Sequence, residues 1–229
     1  MVSAMRYNSN SNPVMSEKFW ENISGNNVMT YEGAMQKIGI LLGFTVISAL
    51  FTSAFSLEAL HNNNIELVYL LSIGGAIAGF ILAMIIYIAR PKNPAPLMIT
   101  YAIIEGVFIG AMSSVMEYFY QGIVIQAILG TLAIFISMYF LYVSKVLRPT
   151  PTFNKIVISL TMSIMLLYVI SMVISLATPY QMPLLHSSSP MGIGLTVFIL
   201  VIAALNLIMD FGFIEQSVQN QTPKVGEWW

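Results

Sequence analysis

There is no cysteine in the 229 residues of this chain. That excludes disulfides, thiolate metal sites and cysteine nucleophiles, and it says nothing about compartment. Histidine is nearly absent too, with only His61 and His186. A membrane metallohydrolase needs clustered histidines within its spans, and a Ser–His nucleophile pair needs a histidine beside the serine. Both histidines fall between apolar runs, so the chain is not expected to be an enzyme and implies no cofactor. Charged residues make up 8% of the chain, against about 25% in soluble domains. The net charge of −1 removes the case for nucleic acid, which needs a basic surface. The first 34 residues lack the apolar core of about 7–15 residues that a signal peptide requires. They are rich in Asn and Ser (YNSNSNP) and read as a mobile polar leader. Val14, Phe19, Trp20 and Ile23 offer it a short interfacial face, the plainer alternative being a partly ordered leader.

What is abundant is apolar length. The chain is 57% hydrophobic, with a mean hydropathy of +0.80. The expected fold class is all-α, a polytopic transmembrane helical bundle whose partner is the lipid bilayer. Six spans are expected at Met35–Leu57, Val68–Ile88, Leu97–Met116, Ile123–Val143, Ile156–Ala177 and Gly192–Phe213. Each has about the 20 residues that a hydrocarbon core of about 30 Å demands. A barrel would need strict polar–apolar alternation, and these runs are apolar on every face. The domain reading is a leader over 1–34, a bundle over 35–214 and a tail over 215–229.

Orientation follows from the basic residues. Arg6, Lys18 and Lys37 precede or begin the first span. Arg90 and Lys92 lie between spans two and three, Lys145, Arg148 and Lys155 between four and five, and Lys224 after six. The other loops carry Glu58, Glu66, Glu117, His61 and His186 and no Lys or Arg. Both termini are therefore expected on the cytoplasmic side. His186 would respond to external pH near its unperturbed pKa of about 6.5, or it is an ordinary loop histidine. Tyr118, Phe119 and Tyr120 at one interface and Tyr139 and Tyr142 at the other read as aromatic belts. Pro91, Pro94 and Pro96, then Pro149 and Pro151, break the chain after spans two and four. Pro179, Pro183 and Pro190 bracket the last outer loop, whose tip is Ser187, Ser188 and Ser189. The pairs Gly39/Gly43, Gly75/Gly79 and Gly106/Gly110 let helix backbones approach closely, and they read as internal packing ahead of a dimer interface.

Two acids fall inside the spans, Glu105 and Asp210. An acid at a helix centre costs roughly 2.5–3.5 kcal/mol on insertion scales and marks a functional site by default. Glu105 lies about 12 Å above the inner boundary and Asp210 about 5 Å, shallow enough in one leaflet to share a polar cavity. Two neighbouring acids titrate as a coupled pair. Arg90, ending span two on the same side, is a candidate counter-charge. The competing reading for Asp210 is a head group extended to the interface. For Glu105 it is a buried, protonated carboxyl donating one hydrogen bond. Glu215 is expected to face water.

Several stretches resemble the Bax inhibitor-1/YccA family, in particular its bacterial branch: SNPVM, MTYEGAMQKIGILLG, TYAIIEGVFIGAMSSVME, GIVIQAILGT and, most of all, ALNLIMDFGFIEQSVQNQTPKVGEW around Asp210. The resemblance implies a family fold of seven helices, six around a central hydrophobic seventh, in a bacterial inner membrane. It implies a pH-sensitive calcium leak in which an acid on helix six shares a proton with an acid on helix seven, and an arginine ending helix two stabilises the closed state. Asp210 matches the helix-six acid and Arg90 the arginine. Glu105 belongs to the branch's E-G-V-F-x-G pattern. Where relatives open helix seven with Glu-Trp, this chain ends at Trp228 and Trp229, so the expectation is either a truncated seventh helix or a six-helix form. Asp210 is then the proton sensor, Glu105 the second carboxylate on the ion path, and both are possible calcium contacts. The alternative implied by the resemblance is a modulator of a membrane-anchored AAA protease, engaged through the leader.

Overall fold

A computed structural model describes residues 28–178 and 189–229. Val14, Phe19, Trp20, Ile23, Arg6, Lys18, Pro179, Pro183, His186, Ser187 and Ser188 lie outside the described residues. Six helices follow in order: α1 (Tyr31–His61), α2 (Ile65–Ala89), α3 (Ala95–Phe119), α4 (Ile123–Val143), α5 (Pro151–Ala177) and α6 (Pro190–Gln219). A short 3-10 helix, Lys224–Trp228, comes last. All six long helices are apolar and long enough to cross a membrane. The chain is an all-α, multi-pass membrane protein.

The helices overrun the expected spans. α1 has 31 residues, about 46 Å at 1.5 Å per residue, well beyond a hydrocarbon core of about 30 Å. Local chemistry sets these ends. The Thr30 hydroxyl accepts from Gly33 N at 3.0 Å, which caps α1 four residues before its expected start at Met35. His61 is the last residue of α1, not a loop residue. Asn64 caps α2, and Thr150 caps α5 with Pro151 in its first turn. Glu117 accepts from Gly122 N at 2.7 Å and Val124 N at 3.2 Å, so this acid caps the start of α4. Side-chain acceptors satisfy amides that the first turn leaves unpaired.

The chain divides into two compact units, Met1–Ala127 with Gln216–Trp229, and Ile128–Glu215. In the first, α3 packs on both α1 and α2. The contact rests on a ladder of small residues four apart, Ala102, Gly106, Gly110 and Ser114, all buried. A Cβ at Gly106 would strike Thr45 O and Ser48, and one at Gly110 would strike Ala49 O. Backbones this close exchange hydrogen bonds: Ser48 Oγ donates to Ile103 O at 2.8 Å. Ser114 Oγ lies 2.9 Å from Gly110 O and 3.1 Å from Ser53 O. On the other side of α3, Gly75 of α2 lies against the Phe108 backbone. Apolar packing among Ala59, Leu60, Val68, Ala111 and Val115 closes the far end.

Gly75/Gly79 and Gly106/Gly110 thus pack inside the unit. Gly39/Gly43 does not: a Cβ at either position would meet nothing within 4 Å. At 3.6 residues per turn, the pair points away from the face that carries Thr45, Ser48 and Ala49. The expectation of internal packing is corrected for that pair.

In the second unit, Asn206 Nδ2 donates to Thr161 Oγ1 at 3.0 Å and to Ile202 O at 2.9 Å, which ties α6 to α5. Phe211 sits edge-on among Phe135 and Tyr139 and tilted on Tyr142, with centroids 5.5–5.9 Å apart. Gly212 gives room to the Pro149 ring. The small-residue ladder predicts an asymmetry between glycines. Gly110→Leu is expected to lose about 1–3 kcal/mol or more, the usual cost of overpacking, seen as a lower unfolding temperature in detergent. Gly39→Leu is expected to leave that temperature within about a degree, because its neighbourhood is open.

Candidate functional site

Asp210 lies on α6, nine residues before Gln219. It is exposed at the surface of the described chain. Sequence reading placed it in the last turns of its span, whereas the helix continues for about 13 Å beyond it. Its neighbours along the chain, Met209, Phe211, Phe213 and Ile214, are apolar. Asn206, one turn earlier, shares its face of the helix, since residues four apart are surface neighbours. That amide is pinned by Thr161.

Glu105 lies ten residues into α3, about 15 Å along it, and is half-buried. Its Oε1 accepts from Tyr101 Oη at 2.7 Å. The same oxygen sits 3.4 Å from where a Cβ on Gly79 would be, so the carboxyl lies against α2. The competing reading had this carboxyl donate its hydrogen bond; here the tyrosine hydroxyl is the donor. Tyr101 was missed, although its spacing of four from Glu105 was available in TYAIIEG.

Arg90 ends α2 in a left-handed conformation, φ 43°. Its Nε donates to Tyr87 O at 3.4 Å, and its guanidinium lies 5.8 Å from the Tyr87 ring centre. Glu215, on α6, is exposed and accepts from Tyr142 Oη, so water is not its sole partner. Asp210 belongs to one unit, and Glu105 and Arg90 to the other. Among the described residues, no three His, Asp or Glu side chains gather as a metal would require.

The most fully built polar site was not foreseen. It is a clasp between the start of α1 and the chain after α6. Val28 and Pro223 form an antiparallel bridge, and Met29 N donates to Thr222 O at 2.7 Å. The Glu227 side chain is fully buried, with Lys37 Nζ at 3.3 Å. Its Oε1 accepts from Thr30 N at 3.1 Å and Thr30 Oγ1 at 3.2 Å. Lys37 also lies 5.8 Å from the Trp228 ring centre. A Cβ at Gly33 would collide with the Glu227 carboxylate, so glycine is what admits it. A carboxylate at a helix N-terminus is favoured by the helix dipole. The only signal for this in the sequence was an isolated Glu beside tryptophan. Its partner Thr30 lies 197 positions away, which no local pattern reveals. The clasp brings the chain entering α1 against the chain leaving α6.

Burial works to raise the Glu227 carboxyl, but the Thr30 amide, Lys37 and the Thr30 hydroxyl outweigh it. The group ends below the usual carboxylate value. Because the folded pKa is depressed, the clasp's contribution is complete above the unfolded value of about 4.3. It is lost as pH falls through the depressed folded value. Tryptophan fluorescence is therefore expected to stay constant from neutral pH down to about pH 5 and to change only in stronger acid. A midpoint near neutrality would contradict the assignment. A second expectation concerns Arg90. Gly relieves left-handed strain of roughly 1–2 kcal/mol, whereas Ala does not. Arg90→Gly is expected to unfold at a higher temperature than Arg90→Ala, and any change that the two share reports the lost charge.

Set beside known proteins, the chain matches the family model described as Bax inhibitor 1 like over residues 12–229. No curated protein and no solved structure matches it. A match across nearly the whole length, together with six membrane-spanning helices, places this protein in the Bax inhibitor 1 like family.

Proposed function

We propose that this protein is a passive, proton-gated cation leak with calcium as the transported ion, that Asp210 is its proton sensor and that Glu105 is a second carboxylate on the ion path. The observation that carries the reading is the placement of Asp210: a carboxylate amid apolar residues, with α6 continuing well past it. An acid held there against an insertion penalty of a few kcal/mol has a reason to be there beyond solubility. Glu105 supports it. Its carboxyl is engaged by Tyr101 and lies against α2 rather than extending along the helix toward an interface.

The gating argument is one of charge. Neutral and ionised Asp210 favour different helix settings, and a difference of a few kcal/mol suffices to shift a two-state bundle. Membership of the Bax inhibitor 1 like family and the six membrane-spanning helices supply the membrane setting that the reading needs. Arg90, at the end of α2, is then the counter-charge of the closed state.

The expected result is a calcium flux into proteoliposomes that depends on pH in the native chain and loses that dependence in Asp210→Asn. Glu105→Gln is expected to lower the flux at every pH. Equal flux and equal pH response in the native chain and Asp210→Asn would refute the reading.

A further inference from the structure

The clasp joins two chain segments that the bilayer alone does not require to meet. Glu227 sits on the first turn of α1, buried among Thr30, Gly33 and Lys37. Thr222 and Pro223 pair with Met29 and Val28. Between the clasp and Asp210 there is one continuous helix. α6 runs through the second unit as far as Glu215, and its last turn, from Gln216, belongs to the first. Five residues lie between Asp210 and Gln216, and the helix is unbroken across them. A restraint on that last turn therefore acts on the helix that carries Asp210.

We propose that the clasp is a strap on α6: closed, it holds the end of the Asp210 helix to the first turns of α1, and opened, it lets that helix shift or rotate. A fully buried carboxylate with an ion-pair partner and two hydrogen-bond donors gives such a strap a distinct closed state. Removing Lys37 leaves the fully buried Glu227 carboxylate without its counter-charge, and neutralising Glu227 removes the group that Lys37 and Thr30 hold, so either change disfavours the closed strap. If the setting of α6 also depends on the charge of Asp210, the strap and that proton are linked, each altering the other by the same factor. This last step rests on the proposed leak; the strap itself does not.

The absence of native cysteine makes the test direct, because every thiol is an introduced one. The full chain in lipid nanodiscs carries Ile214→Cys as a reporter on α6, and its reaction rate with a water-soluble maleimide is measured. Lys37→Met and Glu227→Gln are expected to raise that rate about tenfold, the population change that 1.4 kcal/mol makes. Val28→Cys with Pro223→Cys forms a lock, since opposed residues of an antiparallel bridge lie about 4.5–5.5 Å apart at Cα, within disulfide range. Locked by oxidation before labelling, the Lys37→Met chain is expected to return to the slow rate, and reduction should restore the fast one. That reversal separates an opened strap from a misfolded protein. Equal rates in the reporter chain, the Lys37→Met chain and its oxidised lock would overturn the proposal. Calcium uptake by the same proteins separates the two claims. A rate that follows the lock while no variant, the native chain included, passes calcium sinks the leak and leaves the strap standing.

Discussion

The close approach of α1 and α3 is the contact on which the other positions depend. Inside a bilayer, lipid tails are as apolar as leucine, so burying apolar surface does not drive helices together. What remains is van der Waals contact and hydrogen bonding at short range, and both need small side chains. Ala102, Gly106, Gly110 and Ser114 supply them. Once Gly106 and Gly110 meet the backbone of Thr45 and Ala49, Ser48 and Ser114 reach carbonyls across the seam. That seam sets the rotation of α3, and with it the direction of Glu105 toward Gly79 of α2.

Many polar groups among the described residues have a partner on their own or a neighbouring helix. Ser72, Ser137, Ser163 and Thr196 return their hydroxyls to carbonyls of their own helices. Asn206 is held by Thr161, Glu105 by Tyr101 and Glu215 by Tyr142. An unpaired polar group in an apolar medium costs several kcal/mol, and these pairings avoid that cost. Glu227 is the exception, buried by partners from the opposite end of the sequence. A long-range polar contact of that kind restrains the chain topologically, because it closes a loop over all six spans. Membership of the Bax inhibitor 1 like family rests on the chain as a whole, whereas this clasp is a matter of a few residues at its two ends.

Much of the architecture was legible in the residues. Six apolar runs of bilayer length specify six helices, because a backbone in lipid must pair its own amides and carbonyls, and a helix does so within one segment. Helix ends were less legible. Thr30, Glu117 and Thr150 extend or begin helices through caps, and caps act on polar residues that hydropathy counts against a span.

The apolarity and the bilayer-length reach of the six helices were decided by the sequence alone, since each depends on local composition against a bilayer of fixed thickness. The tertiary structure decided which glycines are contacts: Gly106 and Gly110 are, Gly39 and Gly43 are not, and the motif is the same in both. It also decided that Tyr101 holds Glu105 and that Glu227 is buried at α1. The physical reason is rotation and long-range pairing. Which face a helix turns inward, and which distant residue meets it there, depends on the shapes of the neighbours, and no single segment carries that information.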